Sequence, residues 1–257
     1  LLYFSHDFPR FPTIFSKLHL SSIYLEQIFN FPPSEIYHPR YLPIVLIFQI
    51  VMKMILATHN RDKCAEMNAI LGEISIELLS LDDFPDIDEI VEDGNTLEEN
   101  ALIKARTVYK MTNLPSLADD TGLEVDALNG EPGIYSARYA GETCSYSDNV
   151  NKLLKNMENI PAEKRTARFQ TAIAFVGDNM ELVSEGIVEG KITTEPKGVG
   201  GFGYDPVFYV SEQGKTYSEM KMKEKNKISH RGKAIQEMLK LLQSRLPNIF
   251  HQMEDIA

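Results

Sequence analysis

The chain has 257 residues, 43% of them hydrophobic and 25% charged, which is the composition of a soluble globular protein with room for one large domain or two small ones. A net charge of −11 excludes a broad nucleic-acid-binding face but leaves room for a small anion on a local basic cluster. The two cysteines, Cys64 and Cys144, supply neither a disulfide framework nor a metal-ligand spacing, and fit a reducing cytoplasm.

Residues 1–53 differ from the rest. They contain no glycine and no alanine, but eleven Phe and Tyr, six prolines and a charge near +1; all fifteen glycines fall in 54–257. The expectation is an atypical N-terminal extension outside the fold, upstream of a start at Met52 or Met54, followed by one domain over 54–257. The apolar run 44–52 is too short to span a bilayer and lacks the layout of a signal peptide, so no membrane partner is expected.

From there the elements follow in order. Met54–Thr58 reads as a buried strand and His59–Asp62 as a polar turn. Lys63–Leu71 carries Met67, Ile70 and Leu71 at helical spacing, with Gly72 as a stop. Ile76–Ser80 is a second strand, and an acidic loop follows through Asp93. Thr96-Leu97-Glu98-Glu99 matches a capping box and opens a helix to about Met111. Leu114–Ala118 returns as a strand that delivers Asp119-Asp120 to a turn at Thr121-Gly122, and Leu123–Leu128 runs on to the turn signal Asn129-Gly130. Ser147–Asn159 is helical. Thr166–Gly177 and Glu181–Glu189 alternate around Asp178-Asn179 as a long hairpin. A glycine-rich loop over 198–203 precedes a strand at Val207–Val210, and Ser229 caps a last helix near Arg231–Gln243. Strands alternating with helices around a hairpin give an α/β fold with a mixed central sheet and flanking helices.

Four clusters surround the acid pair. Thr58-His59-Asn60-Arg61-Asp62-Lys63 sits at a strand–helix junction, where free amides and the helix dipole favour an anion. Glu92 precedes a helix on which Lys104 lies one turn beyond Asn100, on the same face. Phe202, Gly203, Tyr204 and Asp205 combine a permissive backbone with aromatics that can stack on a base and an acid that can accept from it. Lys225 belongs to a basic run that leads to His230 and Arg231, which place cations at a helix start, against the dipole, and point to an anionic or keto-bearing partner. Each cluster alone has an ordinary explanation as a cap, a solvated face or a packed loop. Together they hold carboxylates for a divalent ion, cations for phosphates and aromatics for a base, which is a nucleoside triphosphate site. Neighbouring residues on a strand face opposite ways, so Asp119 and Asp120 are expected to do different jobs.

The same residues resemble the inosine triphosphate pyrophosphatase family, also called XTP/dITP diphosphatases. The resemblance runs from Met54 to about Leu242. It rests on Thr58-x-Asn60-x-x-Lys63, Thr96-x-x-Glu99-Asn100-Ala101-x-x-Lys104-Ala105, Ala118-Asp119-Asp120-Thr121-Gly122-Leu123, Pro132-Gly133-Ile134-Tyr135-Ser136-Ala137-Arg138-Tyr139, Gly200-Gly201-Phe202-Gly203-Tyr204-Asp205-Pro206 and Ser229-His230-Arg231-Gly232. It implies two lobes around a substrate cleft, a homodimer, magnesium (Mg2+), and hydrolysis of ITP, dITP and XTP to the monophosphate and pyrophosphate. By matching position, Asp120 is implied as general base and metal ligand, Glu92 as a second metal carboxylate and Asp119 as their support. Thr58–Lys63 is implied as the phosphate-side loop and Thr121 as a substrate contact where serine is commoner; Lys104 is expected, with Lys63 and Lys225, to stabilise charge on the triphosphate. Phe202–Asp205 is implied to meet base and sugar, with Lys225, His230 and Arg231 as further substrate contacts. Two other classes stand beside this one: a nucleotide pyrophosphatase of the Maf type, and a non-catalytic nucleotide-binding protein, against which the intact acid pair argues.

Overall fold

The computed structural model describes residues 52–72 and 76–246, so the expected extension over 1–53 lies almost wholly outside the described residues. Within them one mixed sheet forms the centre. Its strands are β1 (Met52–Leu56), β2 (Ile76–Ser80), β3 (Ser116–Val125), β4 (Pro132–Gly133), β5 (Thr166–Gly177), β6 (Met180–Ile192), β7 (Phe208–Val210) and β8 (Lys215–Thr216). Their order is β2-β1-β3-β5-β6-β7-β8, with β4 paired to β3; β1 runs parallel to β2 and β3, and the other pairs are antiparallel. The helices are α1 (Arg61–Leu71), α2 (Leu97–Thr112), α3 (Tyr146–Asn156), α4 (Met222–Ile228) and α5 (His230–Arg245).

Alternation along β3 assigns the helices to faces. Leu117 shares a core with Met67 and Leu71 of α1 and Ile235 and Met238 of α5. Ala118 faces the other way, into a core with Ala101, Ala105 and Val108 of α2. A third core holds Leu123 and Val125 at the far end of β3 together with Val150 and Leu153 of α3. Between the first and third cores, the Leu117 face of β3 carries Asp119 and Thr121, paired across to Ile173 and Thr171 of β5. A polar row therefore interrupts an otherwise apolar surface.

The main departure from the sequence expectation is β3. The acid pair was expected at a strand end, with a turn at Thr121-Gly122. Instead the strand runs unbroken for ten residues, and every one of them pairs with β5. Turn propensity in Asp-Asp-Thr-Gly is overridden by the long β5–β6 hairpin, which offers a complete antiparallel partner. Gly122 keeps the strand flat against β4, because a Cβ there would stand 2.7 Å from the Gly133 carbonyl oxygen. Smaller shifts are end effects. β1 starts two residues before Met54, and α1 starts at Arg61 because Asn60 caps it, with Oδ1 accepting from the amides of Asp62 and Lys63.

Helix α5 is seated on β6 at unusually short range. A Cβ on Gly186 would meet the backbone oxygen of His230 at 2.0 Å, and Ser184 Oγ donates to the carbonyl of Ala234 at 2.8 Å. That contact sets where His230 and Arg231 project. Gly186→Ala is predicted to lower stability by about 1–3 kcal/mol through overpacking, read as a fall in the urea midpoint at unchanged m-value.

Candidate active site

A cavity of ≈ 320 Å³ opens at β3 beside Asp120 and Thr121. It is lined by Thr58, His59, Asn60, Lys63, Glu92, Lys104, Asp120, Thr121, Phe202, Gly203, Tyr204, Asp205, Lys225, His230 and Arg231. These come from the β1–α1 turn, the first turn of α1, the acidic loop, α2, β3, the glycine-rich loop and the residues just after it, α4 and the start of α5. Three residues expected at the site do not line it. Arg61 and Asp62 open α1 and face solvent, because the helix begins two residues earlier than its apolar periodicity suggests. Asp119 is sealed behind the cavity floor, fully buried.

Asp119 and Asp120 point to opposite faces and enter different surroundings. Asp119 Oδ2 accepts from Arg231 Nε at 3.1 Å and Nη2 at 3.0 Å, from Thr121 Oγ1 at 3.2 Å, and faces Lys63 Nζ at 3.3 Å. Arg231 Nη1 donates to Glu66 Oε2. The other oxygen of Glu66 accepts from Lys225 Nζ at 2.6 Å, and Lys225 also donates to Asp205 Oδ2 at 2.5 Å. The result is a line of alternating charges: Lys63, Asp119, Arg231, Glu66, Lys225, Asp205. Burial alone raises a carboxyl's pKa, but around Asp119 the cations Lys63, Arg231 and Lys104 outweigh it and hold the carboxyl well below the usual range.

Asp120 looks the other way, toward α2. Lys104 Nζ lies 3.5 Å from its Oδ1 and 2.9 Å from Glu92 Oε1, and donates to the Asp119 carbonyl at 2.7 Å. Asn100 Nδ2 donates to Asp120 Oδ2 at 3.1 Å, while its own Oδ1 accepts from the Gly94 amide at 2.9 Å. Burial raises the Asp120 carboxyl above its ordinary value; Lys104 and Lys63 oppose the shift and Glu92 adds to it. An acid raised in this way is a better proton acceptor than a surface aspartate. Glu92 and Asp120 already share one cation, Lys104, so both carboxylates can reach a common point. Among the described residues no three His, Cys, Asp or Glu side chains converge as a complete metal-binding set. A metal ion here would draw its remaining ligands from substrate and water.

Several expected roles change with this geometry. The anionic partner of the cations at the α5 start is internal: Arg231 gives its donors to Asp119, Glu66 and Thr121. Lys225 is likewise buried between two carboxylates, and Phe202 covers it with the ring centroid 5.1 Å from Nζ. His230 is neutral, because burial first and the charges of Arg231 and Lys225 next push its pKa well below the ordinary value. Its ring stacks on Phe169 at 4.5 Å. The turn before α1 also offers fewer free amides than expected, since Asn60 already accepts from two of them. In the glycine-rich loop, Gly201 has φ +71°, and a Cβ there would collide with Asp205 Oδ2 at 2.1 Å.

Glu66, Tyr146 and Phe169 were not singled out in the sequence. Glu66 lies three residues after Lys63, on the same helical face, and next to the core residue Met67. That position was the available signal for a buried carboxylate.

A profile of the Ham1 family matches residues 54–241. The chain belongs to the Ham1 family. It is 50% identical over 184 residues to the dITP/XTP pyrophosphatase of Geobacter sulfurreducens, covering 71% of this chain and 92% of that one. Identity is also 50% over 189 residues to the dITP/XTP pyrophosphatase of Halalkalibacterium halodurans, covering 73% and 97%. Among solved structures, the HAM1 protein of Coxiella burnetii superposes with a TM-score of 0.68 at 40% identity, over 75% of this chain and 99% of that one. The mixed α/β architecture is that of Ham1 structures.

The buried charges make a sharp demand on Glu66. Glu66→Ala leaves Arg231 and Lys225 short of a counter-charge, and is predicted to cost about 3–5 kcal/mol of unfolding free energy in urea melts.

Proposed function

We propose that this Ham1-family chain is a nucleoside triphosphate pyrophosphatase that hydrolyses ITP, dITP and XTP to the monophosphate and pyrophosphate, clearing non-standard purines from the nucleotide pool. The observation that carries the proposal is Asp120: a carboxylate raised by burial, inside the cavity, beside cations suited to phosphates. Two relatives at 50% identity are named dITP/XTP pyrophosphatases. The two cores that flank the polar row of β3 support lobes around a substrate cleft. We further propose a cytoplasmic homodimer that needs neither nucleic acid nor a membrane. No helix among the described residues is long and apolar enough to cross a bilayer.

In this reading the triphosphate lies toward Thr58, Asn60, Lys63 and Lys104, and the base toward Phe202, Tyr204 and His230. Asp120 orients a water against the α-phosphorus and takes its proton as the P–O bond to pyrophosphate breaks. Lys63 and Lys104 stabilise the charge that builds on the phosphates. Glu92 and Asp120 would hold Mg2+, a hard ion suited to one or two carboxylates plus phosphate oxygens, which supplies further charge stabilisation when bound. Asp119 and Glu66 act one layer back: through Arg231 and Lys225, which line the cavity, they fix β3, α1 and α5 so that Thr121 and Asp205 keep their places. Asp205 and the Phe202 ring are held by Lys225, so they form a rigid base-side wall. Hypoxanthine and xanthine carry a keto oxygen at position six, and adenine carries an amino donor. A neutral His230 can donate to the keto group, whereas adenine leaves donors facing each other, at a cost of roughly 1–3 kcal/mol or about ten- to a hundredfold.

Pyrophosphate release measured across ITP, dITP, XTP, ATP, dTTP and dUTP with Mg2+ tests the substrate class; a preference for the pyrimidine nucleotides would overturn it. Asp120→Asn is predicted to remove turnover while leaving the folded state intact by circular dichroism. Because the general base must be ionised, the rate is predicted to fall on the acid side of the pH–rate profile as Asp120 takes up its proton.

A further inference from the structure

Tyr146 joins parts of the cavity that the sequence keeps far apart. It is the first residue of α3, and its place is fixed by the Ser145 cap, whose side chain accepts from the Asp148 amide while Asp148 accepts from the Ser145 amide. Its hydroxyl accepts from Asn60 Nδ2 at 3.1 Å and donates to Asp62 Oδ2 at 3.2 Å. A phenol has one proton to give, so this pair orients it fully. Burial raises its pKa, so the hydroxyl stays protonated at neutral pH. Its ring sits 5.8 Å from Phe202, tilted by 44°. One side chain therefore spans the turn before α1, the start of α3 and the glycine-rich loop.

Helices α1 and α3 belong to different cores, one on each side of the polar row. Resting on the function proposed above, we infer that Tyr146 is a positioning residue that sets the distance between the phosphate-side turn at Asn60 and the base-side wall at Phe202. Its hydroxyl holds the first and its ring backs the second. A nucleoside triphosphate must meet both at once, so an error in their spacing weakens its binding before it affects proton transfer at Asp120. Inorganic pyrophosphate occupies only the phosphate end and is indifferent to that spacing. Tyr146 is 42% exposed, so its substitution does not hollow a core.

The test is steady-state kinetics of wild type, Tyr146→Phe and Tyr146→Ala on ITP, with pyrophosphate as a competing ligand. Loss of the hydroxyl bridge is expected to raise KM about three- to tenfold, with kcat within about twofold of wild type. Tyr146→Ala is expected to raise KM further. The inhibition constant of pyrophosphate is expected to move by less than about twofold in Tyr146→Phe. An unchanged KM in both variants, with wild type active on ITP, overturns the inference and leaves the function standing. A parallel rise in KM and in the pyrophosphate constant also overturns it, because Tyr146 would then support only the phosphate turn. A wild type that neither binds nor hydrolyses ITP removes the function and this inference together.

Discussion

The site depends on Arg231 lying between Asp119 and Glu66. A guanidinium taken from water is stable only when opposite charges replace the solvent, and here both replacements are buried carboxylates. Lys63 and Lys225 continue the pattern outward, and Asp205 closes it. Three cations and three carboxylates alternate, so each charge has its counter-charge beside it. Such networks contribute little net stability over a well-packed apolar core. What they supply is a single allowed arrangement. The residues stand on α1, β3, α4, α5 and the loop before β7, and no one of these elements can shift without uncovering a charge.

That fixed floor lets adjacent aspartates diverge. Strand geometry sends Asp119 toward Arg231 and Asp120 toward α2. Asp119 meets cations at close range and is locked as an anion. Asp120 is dried by the fold and has Glu92 as a neighbouring acid, so its affinity for a proton rises although Lys104 stands 3.5 Å away and opposes the shift. The same backbone therefore supplies one carboxylate held as an anion and one whose affinity for a proton is raised. Lys104 links the two faces, reaching past Asp120 to the carbonyl of Asp119.

Much of the fold was legible. Ile76–Ser80, the β5–β6 hairpin, the Thr96 cap and the Ser229 cap all have local causes, and the structure places them where propensity and periodicity do. The Thr96 box is only half formed, because Glu99 turns to the amide of Asn95 instead of that of Thr96. β3 was misread as strand, turn and strand because pairing with β5 is a long-range effect invisible in Asp-Asp-Thr-Gly. The cations at the α5 start point to an anionic or keto-bearing partner, and nothing in a linear reading shows that Arg231 meets Glu66, 165 residues away. Tyr146 was equally hidden, since its partners lie 84 and 86 residues off. Most of the cavity-lining positions are legible in the sequence; the pairings that hold them are not, because they are made across elements.

The division between the two aspartates is tested most directly by following both side-chain carboxyl carbons by NMR through an acid titration of the folded protein. Without added metal, Asp119 is predicted to stay ionised well below the ordinary carboxylate value of about 4, while Asp120 takes up its proton above that value. Two aspartates titrating together near that value would contradict it.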